Sequence, residues 1–172
     1  MVFSTRFINT LTFILTASAA LLHVQACNPA FQGRAVTISN GSGGEWMLAG
    51  TTSGSSVLTQ KHLNVDNTVG EWTVALDGSS TSVYTIKPVN VAGVAVSTAN
   101  NQAQLATTAA SDSHQKYTID CYVCGTNGDA DGCRIISQAS SSCLSAVGPT
   151  QIVAPFGCNP RAPAQYWTII AA

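Results

Sequence analysis

Glu71-Trp-Thr-Val74, Lys116-Tyr-Thr-Ile119 and Tyr166-Trp-Thr-Ile169 repeat one pattern, an aromatic residue followed by threonine and a β-branched apolar residue. The aromatics Trp72, Tyr117 and Trp167 stand 45 and 50 residues apart. Ahead of each runs the same succession of three further candidate strands. The first strands are Arg34-Ala-Val-Thr-Ile-Ser39, Val83-Tyr-Thr-Ile-Lys87 and Cys133-Arg-Ile-Ile-Ser137. The second centre on Trp46-Met-Leu48, Val94-Ala-Val96 and Cys143-Leu144. The third centre on Val57-Leu58, Gln104-Leu105 and Ile152-Val153, with Leu58, Leu105 and Ile152 spaced 47 and 47. Self-similarity at a fixed period marks a repeated supersecondary unit, and several trios in one register are hard to obtain by chance.

Each stretch is short, rich in Val, Ile, Thr and aromatics, and bounded by Gly, Asn or Ser, which is the composition of strands rather than helices. In the first two opening strands apolar and polar side chains alternate, as a half-buried strand requires. A four-strand unit cannot bury its apolar face alone, whereas three around a pseudo-threefold axis share one core. The sequence therefore predicts an all-β chain, a β-trefoil of twelve strands in three pseudo-symmetric four-strand repeats at approximately 30–76, 80–121 and 131–171. A sandwich of equally short strands is the competing arrangement.

Residues 1–26 read as a signal peptide. Arg6 gives a basic start, Phe7 to Leu22 is largely apolar, and Val24-Gln-Ala26 offers a cleavage site. Cleavage there leaves a single domain, 27–172, beginning at Cys27; cleavage after Ala20 is the other site the pattern allows. A membrane anchor is the alternative, but polar residues interrupt the run and it is short of the roughly 20 apolar residues a span needs. No later stretch could cross a bilayer, so the expected location is extracellular, with no membrane partner.

Charged residues make up 9% of the chain and the net charge is -1, against roughly 25% charged residues in an average domain. This balance excludes the electrostatic footprint of a nucleic-acid-binding protein. All six cysteines follow the cleavage point, and in an oxidising compartment they read as three disulfides with fifteen connectivities open. A zinc site at Cys121-Tyr-Val-Cys124 lacks the second ligand pair it would need.

The third repeat carries a more specific signal. Gly132-Cys-Arg-Ile-Ile136, Ser142-Cys-Leu144, Ile152-Val-Ala-Pro-Phe-Gly-Cys-Asn159 and Gln165-Tyr-Trp167 together resemble the ricin B-chain type lectin repeat, a Cys-Leu strand, a strand ending in Cys-Asn, then Gln-x-Trp. The second repeat keeps Gln115-Lys-Tyr117, and the first has Gly70-Glu-Trp72, without the glutamine. The resemblance implies that Trp72, Tyr117 and Trp167 pack in the core and that Cys143 pairs with Cys158. For the other four cysteines, a hairpin turning about Asn127-Gly-Asp-Ala130 would bring Cys124 opposite Cys133 and leave Cys27 to reach Cys121.

In that family a functional lobe holds a sugar between an Asp near the second strand, an amide near the last, and a stacking aromatic. Here Ser145 stands in the place of the Asp, with Phe156 as platform and Asn159 and Gln165 as amides. In the first repeat His62, Asp66 and Asn67 are polar but placed differently. The expected partner is an extracellular glycan, held weakly by a degenerate third lobe.

Other chemistries read poorly. Asn127-Gly-Asp-Ala-Asp131-Gly132 imitates a calcium loop, but position twelve is Gln138 rather than a chelating acid. After cleavage only His62 and His114 remain, in no catalytic motif. No catalytic residue, metal or cofactor is nominated. Asn40-Gly-Ser42 is an N-glycosylation acceptor or simply a turn. The leading expectation is a secreted, non-catalytic ricin-like trefoil that binds carbohydrate. The alternatives are a secreted trefoil protease inhibitor, using the 157–163 loop with Arg161, and a cell-wall or interaction protein without sugar binding.

Overall fold

The computed structural model of the chain describes residues 26–61, 70–78, 80–146, 148 and 150–172. Residues 1–25 of the expected signal peptide, and the polar trio His62, Asp66 and Asn67, lie outside the described residues.

Six strands close into a barrel. They are β1 (Ala35–Asn40), β4 (Trp72–Leu76), β5 (Val83–Pro88), β8 (Tyr117–Asp120), β10 (Ala130–Ser137) and β13 (Trp167–Ala171). Each pairs antiparallel with the next, and β13 returns to β1, so the ring has no free edge. Alternation does what the sequence requires: β1 and β5 bury every second side chain. The barrel interior is consequently layered. Trp72, Tyr117 and Trp167 form one layer, and Val74, Ile119 and Ile169 the next, all with no exposed surface. Val36 and Ile38, Tyr84 and Ile86, and Cys133 and Ile135 fill the interior from the opening strands.

Three hairpins cap one end of the barrel: β2 (Gly44–Leu48) with β3 (Val57–Lys61), β6 (Val94–Ser97) with β7 (Gln104–Thr107), and β11 (Cys143–Ser145) with β12 (Ala154–Phe156). Their meeting point is a ring of backbone hydrogen bonds. Val57 N–H donates to the Ala103 carbonyl at 2.9 Å, Ala103 N–H to Val153 at 2.7 Å, and Val153 N–H to Val57 at 2.9 Å. The chain is a β-trefoil. β9 (Val123–Cys124) is an additional two-residue strand paired with the start of β10.

The closing aromatic of each lobe also ties barrel to cap. Trp72 Nε1 donates to the Trp46 carbonyl at 3.2 Å, Tyr117 Oη to Val96 at 3.0 Å, and Trp167 Nε1 to Leu144 at 3.0 Å. Burial raises the Tyr117 hydroxyl far above the ordinary phenol range, so it remains a donor. At the axis the lobes differ: Trp46 sits edge-on against Trp72 and Trp167, with centroids 5.8 and 5.3 Å away. Val96 and Leu144 occupy the corresponding places. One large and two smaller side chains fill a space that three tryptophans would overfill. Trp46 Nε1 has no hydrogen-bond partner among the described residues, so packing holds this ring without help from its polar end.

Two expectations need correction. Leu58, Leu105 and Ile152 are not the equivalent trio; the ring places Val57, Ala103 and Val153 there, spaced 46 and 50. Leu58 is only half-buried and Ile152 is 43% exposed, because each points away from the axis. The disulfides are Cys143–Cys158, as expected, and Cys27–Cys124 and Cys121–Cys133, with partners exchanged relative to the predicted hairpin. The Gly125–Asp129 hydrogen bond tightens that turn, so Ala130 lies across from Cys124. The β8–β10 pairing keeps that register, so Cys133 lies across from Cys121, with Trp167 on its other side. Cys27 does pair with Cys121, but through backbone hydrogen bonds of 2.9 and 3.1 Å, while its sulfur goes to Cys124.

Among the described residues no helix is long and apolar enough to cross a membrane.

Removing a wholly buried tryptophan from this layer leaves a cavity and an unpaired carbonyl. Trp167→Ala is expected to cost about 3–5 kcal/mol, and Trp72→Ala a similar amount. Chemical denaturation measures this; an unchanged midpoint for Trp167→Ala would show that the aromatic layer does not carry the fold.

Candidate functional site

The glutamine of each Gln-x-aromatic segment is a loop clamp. Gln165 is 3% exposed; its Oε1 accepts from Asn159 N at 2.8 Å and its Nε2 donates to the Gly157 carbonyl at 2.9 Å. Gln115 repeats this at the same offsets, with Ala109 N at 3.0 Å and the Thr107 carbonyl at 2.8 Å. Both loops then close by the same turns, Asp112 N to Ala109 O and Ala162 N to Asn159 O, and enter 3-10 turns at Ser113–Gln115 and Pro163–Gln165. In lobe two Asp112 caps its turn by accepting from His114 N, which lowers its pKa below the ordinary carboxylate value. In lobe one Gly70 replaces the glutamine, and a Cβ there would lie 2.6 Å from Met47 Sδ. Met47 occupies the space where the clamp would begin.

This geometry sorts the four residues nominated in lobe three. Gln165 has both amide atoms engaged within its own loop. Ser145 is 5% exposed on β11, opposite Ala154. Asn159 is exposed; its Oδ1 accepts from Arg161 N at 2.9 Å, and its side-chain NH2 carries no partner among the bonds within the loop. Phe156 is 56% exposed at the end of β12 and lies directly across from Cys143, so its strand is pinned beside the Cys143–Cys158 disulfide. Cross-strand partners share a face, which puts Phe156 and Ser145 on one side of the hairpin. Phe156 and Asn159 are the two that face solvent.

Other nominated residues find structural partners. Asn40, expected on an exposed turn, is 6% exposed, and its Oδ1 accepts from Ser42 N and Gly44 N at 3.1 and 3.0 Å. The exposed part of that turn is Gly41 to Gly43. Asp129 and Asp131 each bond the last strand of the barrel. Asp129 Oδ1 accepts from Ala171 N at 3.0 Å, and Asp131 Oδ1 from Thr168 Oγ1 at 2.6 Å. His114 Nδ1 lies 3.0 Å from Asp112 Oδ1 on the partly exposed 3-10 turn.

The residue between Gln and the aromatic makes a second contact, which sequence reading missed. In lobe two Lys116 Nζ bonds Asp77 Oδ2 at 2.9 Å, with the Asp77 side chain only 4% exposed. In lobe three Tyr166 stands in the place of Lys116 and meets Tyr122. The rings are near-parallel at 24° with centroids 5.5 Å apart, and the hydroxyls are 3.0 Å apart. The available sign was the aromatic in Gln165-Tyr-Trp167 where the second repeat has lysine.

No protein-family model matches the sequence, and no curated protein matches it. Solved structures do match. A mosquitocidal holotoxin aligns with a TM-score of 0.66 and 18% identity over 82% of this chain. The designed threefold-symmetric protein ThreeFoil aligns with a TM-score of 0.61 and 14% identity over 80%. A Polyporus squamosus lectin, solved bound to a human-type influenza-binding epitope, aligns with a TM-score of 0.60 and 19% identity over 81%. The likeness covers 99% of ThreeFoil, but only 50% of the lectin chain and 17% of the holotoxin chain. At these identities the shared property is the β-trefoil fold.

A clamp that joins loop to turn through two hydrogen bonds should contribute to stability. Gln165→Ala is expected to lower stability by roughly 1–2 kcal/mol, two ordinary hydrogen bonds at about 1 kcal/mol each, and Gln115→Ala similarly. Urea denaturation of both variants checks this; an effect in one lobe and none in the other would contradict the shared role.

Proposed function

We propose that this chain is an extracellular, non-catalytic β-trefoil module that binds carbohydrate through its third lobe. Three disulfides are compatible with an oxidising, extracellular setting. A surface built mainly from neutral hydroxyl and amide groups suits a neutral polyol better than a charged polymer. The fold is shared with a solved lectin that carries a glycan. The observation that carries the reading is Phe156, an aromatic ring held open to solvent on a disulfide-pinned hairpin. An exposed ring of this kind can stack on the apolar face of a sugar, and Asn159 offers its amide beside it. Gln165 holds Asn159 in place through its backbone N–H rather than touching the ligand, and Ser145 is buried.

The inhibitor alternative finds less support. Arg161 sits inside a tight turn closed by Ala162 N and Asn159 O at 3.0 Å. A substrate-like inhibitor must offer such a residue on extended backbone. Lobe two makes the same turn around Ala110 and Ser111, so this loop shape belongs to the scaffold.

With a neutral hydroxyl in place of a carboxylate, and that hydroxyl buried, affinity should be weak, about millimolar or roughly -4 kcal/mol. A glycan array, followed by NMR titration with the sugars that score, tests the reading. Shifts at Phe156 and Asn159 that vanish in Phe156→Ala are the expected result. A blank array and no shifts with common mono- and disaccharides would overturn it.

A further inference from the structure

The Tyr122–Tyr166 pair is more than a clamp requires. Lobe two joins the same two segments with a lysine and a nearly buried aspartate. Lobe three uses two aromatic rings and leaves Tyr122 50% exposed. The rings are also held firmly. Tyr166 Oη donates to the Pro160 carbonyl at 3.0 Å, which leaves Tyr122 Oη to donate to Tyr166. Tyr122 lies over Gly132, where a Cβ would come within 2.5 Å of its ring, and Gly132 holds a positive φ of 62°. Only glycine fits there, so the backbone itself forms the bed for the ring. A platform fixed in advance loses little conformational freedom on binding.

Hydrogen-bonding groups stand next to the platform. Tyr166, in extended backbone just ahead of β13, and Thr168 within it flank the buried Trp167, and both are partly exposed. They therefore project from one face about 7 Å apart. Thr168 is bonded to Asp131, whose carboxylate is exposed. Arg134 follows Cys133, which pairs with Trp167, so it stands beside Tyr166 on the outer face of the wall and is partly exposed. Beyond Thr168 a shallow groove of about 240 Å³ continues over Val123, Ala130 and Ile170, with Asp129 and Asp131 at its side. Aromatic platform, carboxylate acceptor, cationic donor and an apolar floor are collected on one wall of the barrel. Asp129 and Asp131 outnumber Arg134 on this wall, so it repels an anion and offers acceptors to the hydroxyls of a neutral ligand.

We propose that this outer wall of lobe three, centred on Tyr122, Tyr166, Thr168 and Asp131, is a carbohydrate subsite separate from the Phe156 hairpin. A pyranose packs against the half of the Tyr122 ring that Gly132 and Tyr166 leave open, its hydroxyls bond Asp131 and Arg134, and further sugar units extend along the groove. This deepens the carbohydrate-binding reading and rests on it.

The test is a titration of the isotope-labelled chain with methyl glycosides of glucose, galactose, mannose, xylose and N-acetylglucosamine and their β-linked disaccharides, followed by NMR. At least one sugar is expected to shift Tyr122, Thr168 and Asp131 as a group. Tyr122→Ala should weaken that set roughly tenfold or more, a loss of about 1.4 kcal/mol, and leave any shifts around Phe156 in place. Tyr122→Phe, which keeps the ring, should retain the set within about threefold, or about 0.65 kcal/mol. Asp131→Asn should weaken it with the wild-type thermal midpoint preserved, and Val89→Ala, on an exposed turn of lobe two, should change nothing. Shifts confined to the Phe156 hairpin would overturn this subsite while sparing the carbohydrate reading. Binding at the wall that Tyr122→Ala leaves intact would overturn the platform. No shift anywhere with any sugar would overturn both.

Discussion

Three backbone hydrogen bonds, Val57 to Ala103, Ala103 to Val153 and Val153 to Val57, set the constraint on which the rest of the molecule depends. Each bond in the ring joins two different lobes, so none of the three hairpins can be satisfied until the other two are in place. Buried backbone groups left unpaired are costly, and this ring is how the cap pairs its own at the axis. Side chains there must be small enough for three backbones to converge. Valine, alanine and valine, all buried, meet that condition. The heights of the hairpins follow, and with them the position of Trp46, Val96 and Leu144, whose carbonyls accept from the aromatics of the barrel.

Much of this was legible in the sequence because the repeated residues are the ones the core needs. Trp72, Tyr117 and Trp167 recur at near-constant spacing since each fills the same layer. The alternation of β1 and β5 could be read directly. The cap was harder. Its second-lobe member of the ring is Ala103, which has no strand signature, while the more conspicuous Leu58 and Ile152 face outward. Apolarity does not say which way a residue points on a hairpin whose register is unknown. The exchanged disulfides have a similar cause: a turn tightened at Gly125 shifts the cross-strand register by three residues, so that Cys121 rather than Cys124 faces Cys133.

For the candidate site, chemical type was legible and role was not. Gln165 is the kind of residue that binds a sugar, yet it staples its own loop. Its counterpart Gln115, at the same offsets from its loop, shows that the duty belongs to the scaffold. This gives a general way to divide the residues of such a protein. Features that recur between lobes hold the fold, and features confined to one lobe are where function is to be sought. The aromatic layer recurs in all three lobes and the Gln165 clamp and Arg161 turn in lobe two, whereas Phe156 and the Tyr122–Tyr166 pair stand in lobe three alone.

The ring at the axis is tested most directly by native-state hydrogen exchange at the Val57, Ala103 and Val153 amides. Because each bond needs all three lobes, the account predicts that these amides exchange only through global unfolding, with one common opening free energy equal to that of denaturation. If one of them exchanges through a separate and much cheaper opening, a single hairpin can leave the axis while the others hold. The three lobes would then not be joined as one cooperative cap.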